Sequence, residues 1–139
     1  MNISTTSPLP APSTGAIHGC LLGSAVGDAI GLPYEGMSMR RAQKLALLSL
    51  RHRFVLGKGM VSDDTDHSVF VAQALIRSRG DVAKFRSVLA WRLRLWLLCL
   101  PAGIGWATLR GIVRLWFGIA NSGVYSAGNG PSMRSAIIG

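Results

Sequence analysis

The residues best equipped for chemistry are the acids, of which there are only six in 139 residues. Three of them fall together in Ser62-Asp63-Asp64-Thr65-Asp66. Adjacent aspartates with hydroxyls offer the oxygen donors that Mg²⁺ and Ca²⁺ take, although the spacing is not that of a calcium-binding EF-hand loop. At a helix start the same residues could instead be capping groups and dipole partners. Asp28 and Glu35 lie in Gly27-Asp28-Ala29-Ile30-Gly31-Leu32-Pro33-Tyr34-Glu35. An acid in an apolar helix is costly to bury unless hydrogen-bonded or paired, so Asp28 is either a structural hydrogen-bonding residue or part of a site. Glu35, in a loop, could act as a general acid or base. In Ser126-Ala127-Gly128-Asn129-Gly130 two glycines flank an asparagine and can expose backbone N–H groups, as a phosphate cradle or simply as a tight turn. His67 could face the acids, but a solvated or core histidine is the simpler reading.

The elements that must position these residues read as helices. Ser13 or Thr14 can cap a helix from Ala16 to about Ile30, ended by Gly31 and Pro33. Gly19, Gly23, Gly27 and Gly31 fall on one face of it. Each interior glycine costs about 1 kcal/mol relative to Ala, so close approach of another helix or a ligand is expected there. A second helix is expected from Met39 to about Arg51. A third starts near Ser62 or Asp63, carries Val69, Ala72 and Ile76 at helical spacing, and stops at Gly80. Asp81 caps a fourth, with Val82, Phe85, Leu89 and Leu93 along one face. Thr108 could cap a fifth, with Leu109, Ile112, Val113, Trp116 and Ile119 inward, and Ser132 a last short one. No run alternates as a strand does and no repeat occurs, so the fold class is all-α. Trp91, Trp96, Trp106 and Trp116 read as core or as surface for a partner half, and Cys20 and Cys99 as buried thiols.

Composition bounds the rest. Hydrophobic residues make up 49% and charged residues 15%, which excludes a disordered chain. The net charge of +9 points either to an anionic partner or to an absent acidic part. Two cysteines make no disulfide framework, so a reducing, cytoplasmic setting is expected. Residues 1–14, with Pro8, Pro10 and Pro12, read as a disordered lead-in without signal-peptide features. The apolar stretch 95–109 is interrupted by Pro101, Gly103 and Gly105 and is shorter than the ~20 residues a membrane helix needs. No membrane partner is expected.

Taken in order, Gly19-Cys20-Leu21-Leu22-Gly23 with the 27–35 segment, then Ser62-Asp63-Asp64-Thr65, then Ser126 through Arg134, resemble the motifs of the ADP-ribosylglycohydrolase family. The resemblance implies an orthogonal all-α helical bundle, here truncated to about its N-terminal half over residues 15–139, with a binuclear Mg²⁺ or Mn²⁺ centre. It implies hydrolysis of the glycosidic bond linking ADP-ribose to a protein side chain or small-molecule acceptor. Carried over by position, Ser62, Asp63 and Asp64 are metal ligands, with Ser62 where most members have Thr. Glu35 matches the glutamate near the scissile bond. Ser126, Gly128, Asn129, Gly130 and Met133 line the ADP-ribose pocket, and Asp28 either supports the metal ligands from behind or is structural. Members carry a further Asp-x-Asp-Thr-type metal motif downstream, whereas no carboxylate follows Asp81 here. The second part of the ligand set is therefore expected to be missing and activity impaired, with a missing C-terminal half or self-association as the candidate partner. The alternative is a non-catalytic ADP-ribose-binding pseudoenzyme. A basic nucleic-acid binder ranks last, since no recognition helix or aromatic platform is apparent, and no nucleic-acid partner is expected.

Overall fold

A computed structural model describes residues 13–46, 51–54, 56–101, 104–126, 130–135 and 137–138, and leaves undescribed the side chains of Ala46, Pro131 and Met133. Among the described residues the elements are α1 (Thr14–Gly31), a 3-10 turn (Leu32–Tyr34), α2 (Met39–Ala46), α3 (Asp63–Ser78), α4 (Val82–Leu98), α5 (Trp106–Trp116) and α6 (Gly130–Ser135). The fold is all-α, as expected.

Local chemistry explains most boundaries. The Ser13 hydroxyl accepts from the Ala16 N–H at 3.2 Å and starts α1. Asp81 accepts from the Lys84 N–H at 3.0 Å and starts α4. The chain leaves α3 through Arg79 and Gly80, both at positive φ. Two boundaries differ from expectation. The second helix does not reach Arg51, because residues 51–54 are irregular and the chain turns back there. The Phe54 carbonyl accepts from the N–H groups of Gly57 and Gly59, both at 3.1 Å. The backbone of Gly59 then passes so close to His52 that a Cβ would meet its ring at 2.5 Å. The fifth helix starts at Trp106, not after Thr108, because the extended Gly105 already offers its carbonyl to the Leu109 N–H at 3.0 Å.

Helix α3 is the hub, packed against α1, α4 and α6, while α5 lies on α4. Its buried side chains are His67, Ser68, Val71, Ala72, Ala74 and Ser78. Small residues on that face let three neighbours approach, whereas Ile76, at helical spacing from the buried Ala72, is left 75% exposed. Leu93 and Trp96 of α4 meet Ile112 of α5 in the main apolar cluster, with Phe70, Leu89 and Leu115 against it. Trp96 alone of the four tryptophans is buried. Trp91 and Trp116 stand edge to face at 6.4 Å on the surface. Arg94 lies 5.4 and 5.9 Å from their ring centroids and donates to the Leu115 carbonyl, joining α4 to α5.

Two further expectations fail. Cys99 is exposed at the end of α4, where the helix leaves the core, and Cys20 is only half-buried. The glycine row of α1 is also open: among the described residues a Cβ at Gly19, Gly23, Gly27 or Gly31 would meet nothing within 4 Å. The packed face of α1 is instead the one carrying Asp28 and the buried Ala29. One stretch, Thr14–Tyr34, is long and apolar enough to cross a membrane by length and composition alone.

Candidate active site

The site begins where α1 meets the start of α3. Asp28, three residues from the end of α1, accepts four hydrogen bonds from the first turn of α3. The Ser62 N–H and hydroxyl donate at 2.7 Å each. The Thr65 N–H donates at 3.2 Å, and the Thr65 hydroxyl donates to the same carboxylate. Partial burial pushes the Asp28 carboxyl up, but the Thr65 and Ser62 bonds outweigh it and hold the group below its ordinary value. Asp28 is thus the structural residue that anchors the acidic motif.

The Ser62 hydroxyl, besides donating to Asp28, accepts from the Asp64 N–H at 3.4 Å, so it caps α3. With the motif pinned, Asp63 and Asp64 line a cavity of about 770 Å³. Glu35, brought round by the 3-10 turn after α1, lines the same cavity, as do Ser126 and Gly130. Three separate motifs therefore converge. Gly128 and Asn129 lie outside the described residues, as does the side chain of Met133, so their expected roles have no structural account.

The electrostatics are those of crowded acids. Partial desolvation raises the Glu35 carboxyl, and the charges of Asp64, Asp63 and Asp28 push it further. Burial raises Asp64, with Asp63 and Asp28 adding to it. Burial also raises Asp63, which Arg134 and its own backbone N–H partly counter. A divalent cation would relieve this repulsion, and the Asp63 and Asp64 carboxylates are the hard oxygen donors it takes. Among the described residues no three His, Cys, Asp or Glu side chains converge closely enough to hold an ion by themselves. Other oxygen donors would have to complete the shell.

Sequence reasoning missed the base at this site. Arg134 of α6 lines the cavity and donates through Nε and Nη2 to Nδ1 of His67, at 3.3 and 3.0 Å. His67 is fully buried, a core histidine, with its ring edge-on to Trp96 at 4.6 Å. Burial, then the Arg134 charge, lower its pKa from 6.5 to about 4, so the ring is neutral. The signal was present in the spacing, since Arg134 lies one helical turn beyond Gly130, but only the packing of α6 on α3 shows its partner. Asp66 points the other way and accepts from the Trp96 indole N–H at 2.9 Å.

Comparison with known proteins agrees with these motifs. The profile of the ADP-ribosylglycohydrolase family matches residues 10–139. An uncharacterized protein of Archaeoglobus fulgidus is 33% identical over 130 residues, covering 86% of this chain and 41% of its own length. The ADP-ribosyl-[dinitrogen reductase] glycohydrolase of Rhodospirillum rubrum is 34% identical over 128 residues, covering 84% and 41%. The chain thus spans less than half the length of both relatives.

Proposed function

Because the chain belongs to the ADP-ribosylglycohydrolase family, we propose that it carries the acidic part of a site for hydrolysing the bond between ADP-ribose and a protein side chain or related acceptor. One observation supports this above the rest: Glu35, Asp63 and Asp64 share a single cavity with Ser126 and Gly130. Its volume of about 770 Å³ suits a nucleotide-sized ligand.

Cleavage of such a bond passes through an oxocarbenium-like state, with water adding to the anomeric carbon as the acceptor departs with a proton. Glu35, with a raised pKa at the cavity wall, is suited to hold and pass that proton, either from the attacking water or to the leaving group. Asp63 and Asp64 would hold Mg²⁺ or Mn²⁺, and Ser62 has an oxygen lone pair beside them. A bound divalent ion supplies Lewis acidity and a polarised water. Asp28 keeps the motif in place, and Ser126 and Gly130 line the same cavity beside the ligand.

The second reading is ADP-ribose binding without turnover, favoured by the lack of a self-sufficient ligand cluster among the described residues. Both are tested by incubating the purified chain with an ADP-ribosylated protein in Mg²⁺ or Mn²⁺ and measuring released ADP-ribose, alongside calorimetric titration with ADP-ribose. Release that disappears in Glu35→Gln supports hydrolysis. Binding without release supports the second reading, and neither binding nor release refutes both.

A further inference from the structure

We propose that Arg134 is the anion-binding residue of this cavity, braced by His67 to receive the diphosphate of a nucleotide-sugar ligand. The nucleotide sugar rests on the function proposed above, whereas the anion does not. Among the described lining residues the carboxylates are Glu35, Asp63 and Asp64, and Arg134 is the sole base. A diphosphate entering such a cavity is repelled by these three carboxylates and attracted by Arg134, whose charge also acts on Asp63.

The guanidinium is held in one orientation. Its Nε and Nη2 both donate to Nδ1 of His67, which requires that nitrogen to be unprotonated. His67 cannot rotate away, being fully buried and wedged against Trp96. Both bonds go to a neutral ring, so the anchor leaves the positive charge intact. A guanidinium has five N–H donors, and two are spent here. The others are what this wall can offer a ligand, and a rigid fork matches phosphate oxygens well.

The neighbours suit the same ligand. A Cβ at Gly130 would lie 3.9 Å from Arg134 Nη2 and 3.8 Å from the Thr108 hydroxyl. The guanidinium, a hydroxyl and a backbone without a side chain therefore share one corner of the cavity. Thr108, expected as a helix cap, is free for this because Gly105 starts α5 instead.

The test is calorimetry in metal-free buffer with three probes: pyrophosphate, ADP-ribose and adenosine. Arg134→Met is expected to weaken pyrophosphate and ADP-ribose by about tenfold or more and to leave adenosine unchanged, and Arg134→Lys to restore part of the loss. Near-UV circular dichroism, which reports on Trp96 packing, identifies a misfolded variant; if Arg134→Met misfolds, the Lys variant and wild type decide, with a drop for pyrophosphate and none for adenosine expected. Equal loss of all three probes, or unchanged pyrophosphate binding, overturns the proposal. A wild-type chain that binds pyrophosphate through Arg134 but ignores ADP-ribose upholds it and overturns the nucleotide-sugar reading instead.

Discussion

His67 makes the stability of this chain pH-dependent. In the folded chain its pKa is about 4, against 6.5 for the exposed ring. A second proton would have to occupy Nδ1, where Arg134 already directs two N–H groups, and would put charge into a fully buried ring. Protonation therefore favours the unfolded chain. The stability is fully present above about pH 6.5 and is lost as pH falls towards 4. A difference of about 2.5 pKa units at about 1.36 kcal/mol each gives about 3 kcal/mol in full, and about 2 kcal/mol by about pH 5. Glu35, Asp63 and Asp64 act in the opposite sense, because their pKa values are raised and acid relieves their repulsion. The informative quantity is therefore the difference between wild type and His67→Asn, whose amide oxygen can accept from Arg134 without titrating. Urea unfolding followed by tryptophan fluorescence, at neutral pH and at about pH 5, measures it. Wild type should lose about 2 kcal/mol more than the variant. Equal losses would refute the buried neutral imidazole.

Other perturbations follow from the same geometry. Asp28→Asn leaves one acceptor oxygen and a misplaced NH₂ where four donors converge; a loss of about 2 kcal/mol or more in urea unfolding is expected. Asp63→Asn, alone or with Asp64→Asn, should raise the thermal midpoint in metal-free buffer by removing like charge, while calorimetry shows weaker Mn²⁺ binding. Gly130→Ala should fold as well as wild type, since its nearest neighbours stand 3.8 and 3.9 Å from the new methyl. A marked fall in its thermal midpoint would contradict the described packing of α6.

Much of the site could be read from residue order because its parts are local motifs. Ser62, Asp63 and Asp64 sit on one helix start, and Asp81 and Ser13 cap helices as short-range hydrogen-bonding predicts. What escaped depends on contacts across the chain. The Arg134–His67 pair spans 67 residues, and neither residue is unusual in its own neighbourhood. The buried face of α3 was not legible for the same reason, since apolar spacing at Val69, Ala72 and Ile76 says nothing about three neighbours crowding its small-residue side. The glycine row of α1 shows the converse: a periodic signal suggests packing, yet the helix turns its other face to α3.

The direct tie from residue 28 to residues 62 and 65 also says where this scaffold can tolerate change. The placement of the acid pair is dictated by the last turn of one helix, not by the path of the connector between them. Substitutions within the part of that connector beyond Glu35 can therefore accumulate without moving Asp63 and Asp64. A single swap at residue 28 has no such latitude, and a library of variants spanning 28–65 should be depleted there and at Gly59 while remaining diverse around 39–44.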